Sequence, residues 1–416
     1  MRIAIVGSGS AGLMSAWLLQ SEHDVSLFEA SGRIGGHINT VTVPTNLGDL
    51  PVELGAEFVF EYGYTGLHAL VKRLGLHFER ASLPASITID GRPTFVLPPT
   101  TGAAIRSVLS PATLRDLLWV GRLAITGERV ARAGDWGLDV AGLMARAGIP
   151  RDVAERFLIP LIASGWGVPR DVARGLAAYS VVRVMGLRLA HEPHNFTLAG
   201  GLSSYTSRLA ADSPRCRLLL NSPVLGVDRD QDELVVTTDR GAQRFDAVIL
   251  ACDWHNSARI CTGSAPLEAW RRAFESFDDY QVRVALHRDP SYMPTARALW
   301  SSGNFFLSKT LQPRNTVWSG YRWRAPVFRT WLRPGESEPP TTLQVANYRH
   351  IVVTPNHHGR QQQLARLQGT AGLWAAGMYT SGVDNHESAL RSALRIAERL
   401  APNGERVRWF SPLVSA

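Results

Sequence analysis

The sequence predicts an α/β protein in which one domain is assembled from separated stretches and a mixed α+β domain is inserted between them. Three observations predict it. A strand–helix–strand unit opens the chain, a helix-rich stretch gives way to strand-rich sequence, and a further strand and helix close it. That order does not divide into consecutive domains. At about 150 residues per unit, the 416 residues allow two to three of them.

Taken in order, residues 2–6 (RIAIV) form a short buried strand. Ser10 to Gln20 carries Leu13, Met14, Trp17 and Leu18 at helical spacing, and Val25 to Glu29 is the next strand. Pro84 to Leu97 alternates as a hairpin around Asp90-Gly91. Residues 103–186 are rich in Leu, Ala, Val and Arg and read as helical. Residues 217–250 return to strands, and Pro334 to Pro340 is a loop. Residues 372–377 (GLWAAG) hold a strand, and a helix runs from about His386 to Leu400.

Composition excludes several classes. Hydrophobic residues at 45% and charged residues at 19% exclude a disordered chain, and 37 glycines with 24 prolines in no fixed period exclude a collagen-like one. Cys216, Cys252 and Cys261 form no Cys-x-x-Cys pair, so neither a disulfide framework nor a zinc site is expected, and no other metal spacing is seen. No secretory h-region follows the N-terminus and no apolar run reaches about 18 residues, so a cytoplasmic location without integral membrane association is expected. The net charge is +8, but all basic residues except Lys72 and Lys309 are dispersed arginines, which fits a solvated surface better than a nucleic-acid groove.

The chemistry begins at Gly7-Ser8-Gly9-Ser10-Ala11-Gly12, directly after a strand and opening a helix, with Glu29 at the end of the second strand. This is a dinucleotide fingerprint in its proper context. Gly9 lets backbone approach a pyrophosphate, Gly12 lets helix and strand pack, and the helix N-terminus faces the phosphate. Glu29 is placed for a ribose hydroxyl and disfavours a 2′-phosphate. Just beyond lies Arg33-Ile34-Gly35-Gly36-His37, where an arginine can pair with pyrophosphate and two glycines admit a bulky ring.

At this point the chain resembles the flavin-containing amine oxidase superfamily, whose Arg-x-Gly-Gly after the ribose Glu is matched by Arg33, Gly35 and Gly36. The resemblance continues in Leu54-Gly55-Ala56-Glu57, with Glu53 in the place of the family's Asp, in Asn221 to Val224, in Phe245 to Ala251, in Leu373 to Gly377 and in Asn385 to Ser392. Gly35 to Thr40, Leu286 to Asp289 and His386-Glu387 are most similar to a bacterial subgroup of NAD/FAD-binding oxidoreductases. The resemblance implies non-covalent FAD in a glutathione-reductase-like (Rossmann) domain, beside a separate α+β substrate domain. The cofactor-binding set it implies opens with Gly7, Ser8, Gly9, Ala11, Gly12, Glu29, Ala30, Arg33, Gly35, Gly36 and His37. It continues through Leu54, Gly55, Ala56, Glu57, Val224, Ala251, Gly377, Asn385, His386 and Ala389. The expected division is 1–65, 195–262 and 366–402 for FAD, 66–194 and 263–365 for substrate, and a tail at 403–416.

Two departures set expectations for chemistry. Amine-oxidising relatives commonly carry a lysine on the strand that here reads Gln281 to His287 without one; Arg283 is the nearest basic residue, and its guanidinium is no base. Asn385 stands where such enzymes often place a tyrosine. Asn385, His386 and Arg283 are the catalytic candidates, while His386-Glu387 equally suits a solvated cap. Packing is favoured for His37, and a surface loop for His357-His358. Trp318, Trp323 and Trp331 alternate with Arg322, Arg324, Arg329 and Arg333; a half-buried strand pair with a solvated arginine face is favoured over an anionic dock. Phe305, Phe306, Trp318, Tyr321 and Trp323 are candidate pocket walls. The expected function is FAD-dependent oxidation or desaturation of a small organic substrate, bulky and neutral or acidic, with molecular oxygen as one possible acceptor. Open alternatives are a redox-neutral isomerase or cyclase, an amine oxidase, and a non-catalytic FAD-binding interaction protein.

Overall fold

The computed structural model describes residues 1–61, 63–92, 95–99, 101–185, 195–262 and 265–414, so the last residue of the expected helical stretch, Gly186, lies outside them. A five-stranded parallel sheet runs in the order Arg217–Leu219, Asp24–Phe28, Arg2–Val6, Ala247–Leu250, Leu373–Ala375. Parallel strands covered on both faces need continuous apolar runs, and Ile3, Ala4, Ile5, Val248, Ile249 and Leu250 are all fully buried. Helix Ser10–Leu19 is apolar on all sides because it is enclosed between the sheet and helix His386–Leu400, whose Leu390, Ala393, Leu394 and Ala397 face the same core. The opposite face is covered by an antiparallel meander, Val224–Asp230, Glu233–Thr238 and Gly241–Phe245.

The second sheet has seven strands, in the order Thr342–Ile351, Asp279–His287, Phe328–Leu332, Arg314–Val317, Gly303–Leu307, Ala85–Ile89, Phe95–Leu97. All pair antiparallel except Gly303–Leu307 with Ala85–Ile89. The expected hairpin forms its edge, with Asp90 and Gly91 both at positive φ in the turn. Helices between residues 102 and 185, the longest being Pro111–Ala133, pack on this edge through a third core. Among the described residues no helix is long and apolar enough to cross a membrane.

Three expectations differ from the structure. Helix Thr65–Arg73 and helix Glu405–Val414 belong to the first core, through Leu67, Leu70, Val71, Val407, Phe410 and Val414, so the boundary after 65 and the tail from 403 are replaced by a packed helix pair. His357 opens helix His357–Leu367 and is buried, and His358 stacks on Trp136 at 5.1 Å, so neither sits in a surface loop. The Trp/Arg stretch is not one strand pair. Trp318 joins Met293 and Phe328 in a small separate core, Trp323 ends a 3-10 turn, and Trp331 lies on a strand facing the other way.

Candidate active site

The N-terminal strand ends at Val6 and the chain turns at once into helix Ser10–Leu19. A Cβ on Gly12 would stand 1.9 Å from the Gly7 carbonyl oxygen, so only glycine allows this helix to start so close to the strand. A Cβ on Gly9 would meet nothing within 4 Å. The space above Gly9 is therefore a cradle at a helix N-terminus, the place a pyrophosphate needs. The glycine-pair loop closes over it: Gly35 N donates to Ser8 O at 2.9 Å, and Gly9 and Gly35 bridge in parallel.

Glu29 stands beside this loop and accepts from Ser8 N (3.0 Å), Ser8 Oγ (2.6 Å), Ser31 N (2.8 Å) and Ser31 Oγ (2.8 Å). Burial alone would raise its carboxyl, but these bonds outweigh burial and hold it below the ordinary range, so it is an anion at neutral pH. Ala30 is exposed next to it, Val224 is buried in the core behind the meander, and Ala251 ties the next strand to Val6 through a 2.8 Å backbone bond. Arg33 folds onto its own loop, donating to Gly36 O at 2.8 Å and Ile38 O at 3.1 Å. Its side chain is exposed, with further N–H groups to donate.

The strand pair Thr40–Thr45 and Gly48–Glu53 then returns the chain to the cradle. Leu54 N donates to Asn39 O and Ala56 N to His37 O, both at 2.8 Å, which lays residues 54–57 along residues 37–39. Arg329 fixes this double layer from the second sheet. It is 2% exposed, donates to Glu53 O at 2.7 Å and Gly55 O at 3.0 Å, and forms an ion pair with Glu57. Burial raises the Glu57 carboxyl and Arg329 opposes the rise. Glu53 accepts from Leu202 N at 2.6 Å and Thr40 Oγ1 at 2.8 Å, yet burial and the nearby Glu57 push its carboxyl up to about 7. His37 keeps contact with solvent but is surrounded by protein, and loss of water pushes its imidazole down. Its ring meets Tyr348 edge-on at 5.0 Å and His350 at 6.0 Å.

The third part is the start of helix His386–Leu400. Asn385 is its N-cap, accepting from Ser388 N at 2.9 Å. Glu387 is not a solvated cap: it is 2% exposed and accepts from Gly66 N at 2.8 Å and Leu67 N at 3.0 Å, capping helix Thr65–Arg73 instead. His386 Nε2 bonds Tyr205 Oη, which donates to Ser10 Oγ at 3.2 Å, so a short relay joins the closing helix to the phosphate loop. Burial lowers His386 to about 4 and keeps it neutral, and burial raises the adjacent Asp384 carboxyl to about 7. Gly377 N donates to Ser392 Oγ at 2.8 Å, and Ala389 lies buried on the helix's inner face.

Arg283 is a correction. Cross-strand partners share a face, and register places Tyr280, Val282, Val284 and Leu286 with His350, Tyr348, Trp331 and Arg329 toward the site. Arg283 therefore points the other way, donating to Glu338 at 2.6 Å and Glu336 O at 3.3 Å. The expected pocket walls also separate: Trp318 and Tyr321 pack together, Phe305 joins the third core, and Phe306 lies against Arg314. Arg322 pairs with Glu79 and Arg329 with Glu57, so neither offers an uncompensated charge to an anion. Ser31, Tyr205, Arg329, Tyr348, His350 and Asp384 were not among the expected site residues. Strand Thr342–Ile351, which carries Tyr348 and His350, was not expected from the sequence, and its inward face is set by its register with Asp279–His287.

The open cradle at Gly9, the ionised Glu29, the exposed Arg33 and the helix N-terminus at Asn385 together suit a dinucleotide with a ring system at one end. The family model for flavin containing amine oxidoreductase matches residues 10–285. AofH of Mycobacterium tuberculosis, which carries the name of a flavin-containing monoamine oxidase, is 28% identical over 269 residues; the match covers 60% of this chain and 56% of AofH, little over half its length. Achacin of Lissachatina fulica is 40% identical over 75 residues, which cover 18% of this chain and 14% of that protein. By fold, the chain is similar to a fatty acid isomerase from P. acnes (TM-score 0.70, 15% identity, 96% of this chain and 98% of that one). It is similar also to putrescine oxidase (TM-score 0.68, 16% identity, 97% and 100%). The cradle and the family match agree: the chain belongs to the flavin containing amine oxidoreductase family.

Proposed function

We propose that the protein oxidises or desaturates a bulky, mainly apolar substrate at carbon rather than a simple primary amine. The observation that carries this reading is the inward face of strand Asp279–His287. Val282, Val284 and Leu286 are buried there under Val43, Leu50, Val52 and Leu54, and the half-buried Tyr280, Trp331 and Ala346 beside them leave an apolar surface with no amine or guanidinium from this strand. Such a wall desolvates a hydrocarbon-like group and offers a protonated amine no counter-charge.

When bound, FAD supplies the hydride acceptor at N5. Asn385 holds the helix N-terminus in place, and its partial positive charge favours the negative charge of a reduced flavin. Neutral His386, anchored through Tyr205, keeps a full positive charge away from that end. Burial also lowers His350 to about 4, so it remains neutral beside the apolar wall. Asp384, with its carboxyl raised to about 7, is the group at the closing helix that exchanges a proton near neutrality. The arginines around Trp323 are paired or turned outward, which shifts the expected preference from acidic toward neutral substrates.

The test is anaerobic mixing of holoprotein with two panels, benzylamine-like and polyamine compounds against apolar alkenes, alcohols and fatty acyl compounds. Bleaching of the flavin is expected only with the second panel. Rapid bleaching by any simple amine overturns the reading.

A further inference from the structure

We infer that the exposed face of helix Pro111–Ala133 docks on an anionic lipid surface. Ile105, Leu109, Leu114, Leu118 and Ile125 are 49%, 62%, 44%, 74% and 51% exposed, a concentration of bare apolar side chains between residues 105 and 125. Scattered exposed leucines are ordinary, but a cluster on one face is not. At 3.6 residues per turn, Leu114, Leu118 and Ile125 share one line, and Arg115, Arg122 and Arg129 run beside it; all six fall within about 100° of arc. The same helix buries its opposite arc, with Thr113, Asp116, Leu123, Ala124, Gly127 and Val130 facing the third core. The helix is thus split between a buried face and an exposed face that carries Leu114, Leu118, Ile125 and these arginines.

Its geometry is firm. Ser110 caps the N-terminus by accepting from Thr113 N, Pro111 opens the first turn, and Gly134 ends the helix at φ 62°. The buried Asp116–Arg156 pair, 2.8 Å between Oδ2 and Nη1, anchors the inner face, so the exposed stripe does not simply turn inward.

Charge selects the partner. The two acids of this helix are already engaged, Asp116 by buried Arg156 and Glu128 by Arg132 at 2.9 Å; Arg122 Nε donates to the Ala147 carbonyl and Arg115 lies 3.9 Å from Asp116, so the outer face keeps a net positive charge from the exposed Arg115, Arg122 and Arg129. A second copy of the chain laid on this stripe would set arginines against arginines. An anionic headgroup layer meets them with opposite charge, while the leucines enter the acyl boundary and the arginine stems lie along it. The helix would lie in the surface plane, since no described helix can cross it. This inference does not depend on the proposed substrate.

The experiment is flotation of holoprotein with vesicles of phosphatidylcholine containing about one quarter phosphatidylglycerol, against vesicles of phosphatidylcholine alone. The protein is expected to float with the anionic vesicles, to lose most binding at high salt, and to remain below the neutral ones. Leu114→Ser/Leu118→Ser/Ile125→Ser and, separately, Arg115→Gln/Arg129→Gln should each lower partitioning by about tenfold or more, with flavin content and melting temperature near wild type. Failure of the wild type to float with anionic vesicles overturns the inference. So does unchanged partitioning of the leucine variant, or a wild-type dimer that the leucine variant converts to monomer.

Discussion

Replacing Arg329 with methionine removes the guanidinium that ties the second sheet to residues 53–57. Arg329 is 2% exposed and pairs with Glu57, and it also satisfies the carbonyls of Glu53 and Gly55 at 2.7 and 3.0 Å. Arg329→Met leaves a buried carboxylate without its partner, a loss of about 3–5 kcal/mol. Adding Glu57→Gln removes the stranded charge and should restore about half of that, the remainder reflecting the two orphaned carbonyls. Urea unfolding of the apoproteins measures stability, and flavin fluorescence quenching measures FAD affinity. Because residues 54–57 lie against His37 at the cofactor cleft, FAD affinity should fall along with stability in the single variant and recover in part in the double. A single variant destabilised by less than about 1 kcal/mol, or a double variant less stable than the single, refutes this account of the loop.

Other outcomes follow from the same geometry. Gly9→Ala should leave apoprotein stability within about 0.5 kcal/mol, because its Cβ meets nothing, and yet lower FAD affinity about tenfold or more by filling the cradle; titration calorimetry with FAD checks it. Arg33→Ala should cost about 2–4 kcal/mol of FAD binding in a folded protein, and unchanged affinity would remove Arg33 from the pyrophosphate. Glu53 has its carboxyl raised from 4.5 to about 7 in the fold, so its stabilising effect is complete below 4.5 and is lost as pH rises through about 7. Denaturation across that window should show a loss of about 3 kcal/mol that is absent in Glu53→Gln.

The parts of the molecule legible in sequence are those whose signals are local. The opening strand, the glycine loop and the helix behind it carry their own periodicity and turn chemistry, and the closing helix begins at His386 and ends at Leu400 as expected. What was misread depends on partners far along the chain. Arg329 looks like one solvated arginine among several until Glu57 and the backbone of Glu53 and Gly55 are brought to it. Arg283 sits at the right strand, but the period of two turns it away from the site, and only the pairing with Thr342–Ile351 decides the face. Helix His357–Leu367 is polar and weakly periodic, so the burial of His357 comes from packing against Phe277 rather than from its own pattern. Glu387 reads as a cap for its own helix and is one for another, because Gly66 approaches it from over three hundred residues away.

FAD is expected to be held by the cradle, by charge and by hydrogen bonds, with no covalent tether. Burial pushes Cys216 up to about 11 and Cys252 and Cys261 up to about 12, so none of the three thiols is a ready nucleophile. The direct measurement is acid precipitation of purified holoprotein followed by flavin quantitation in supernatant and pellet. Stoichiometric FAD in the supernatant, with a colourless pellet, is the predicted result; flavin retained in the pellet, or a protein that neither carries FAD nor takes it up when added, contradicts it.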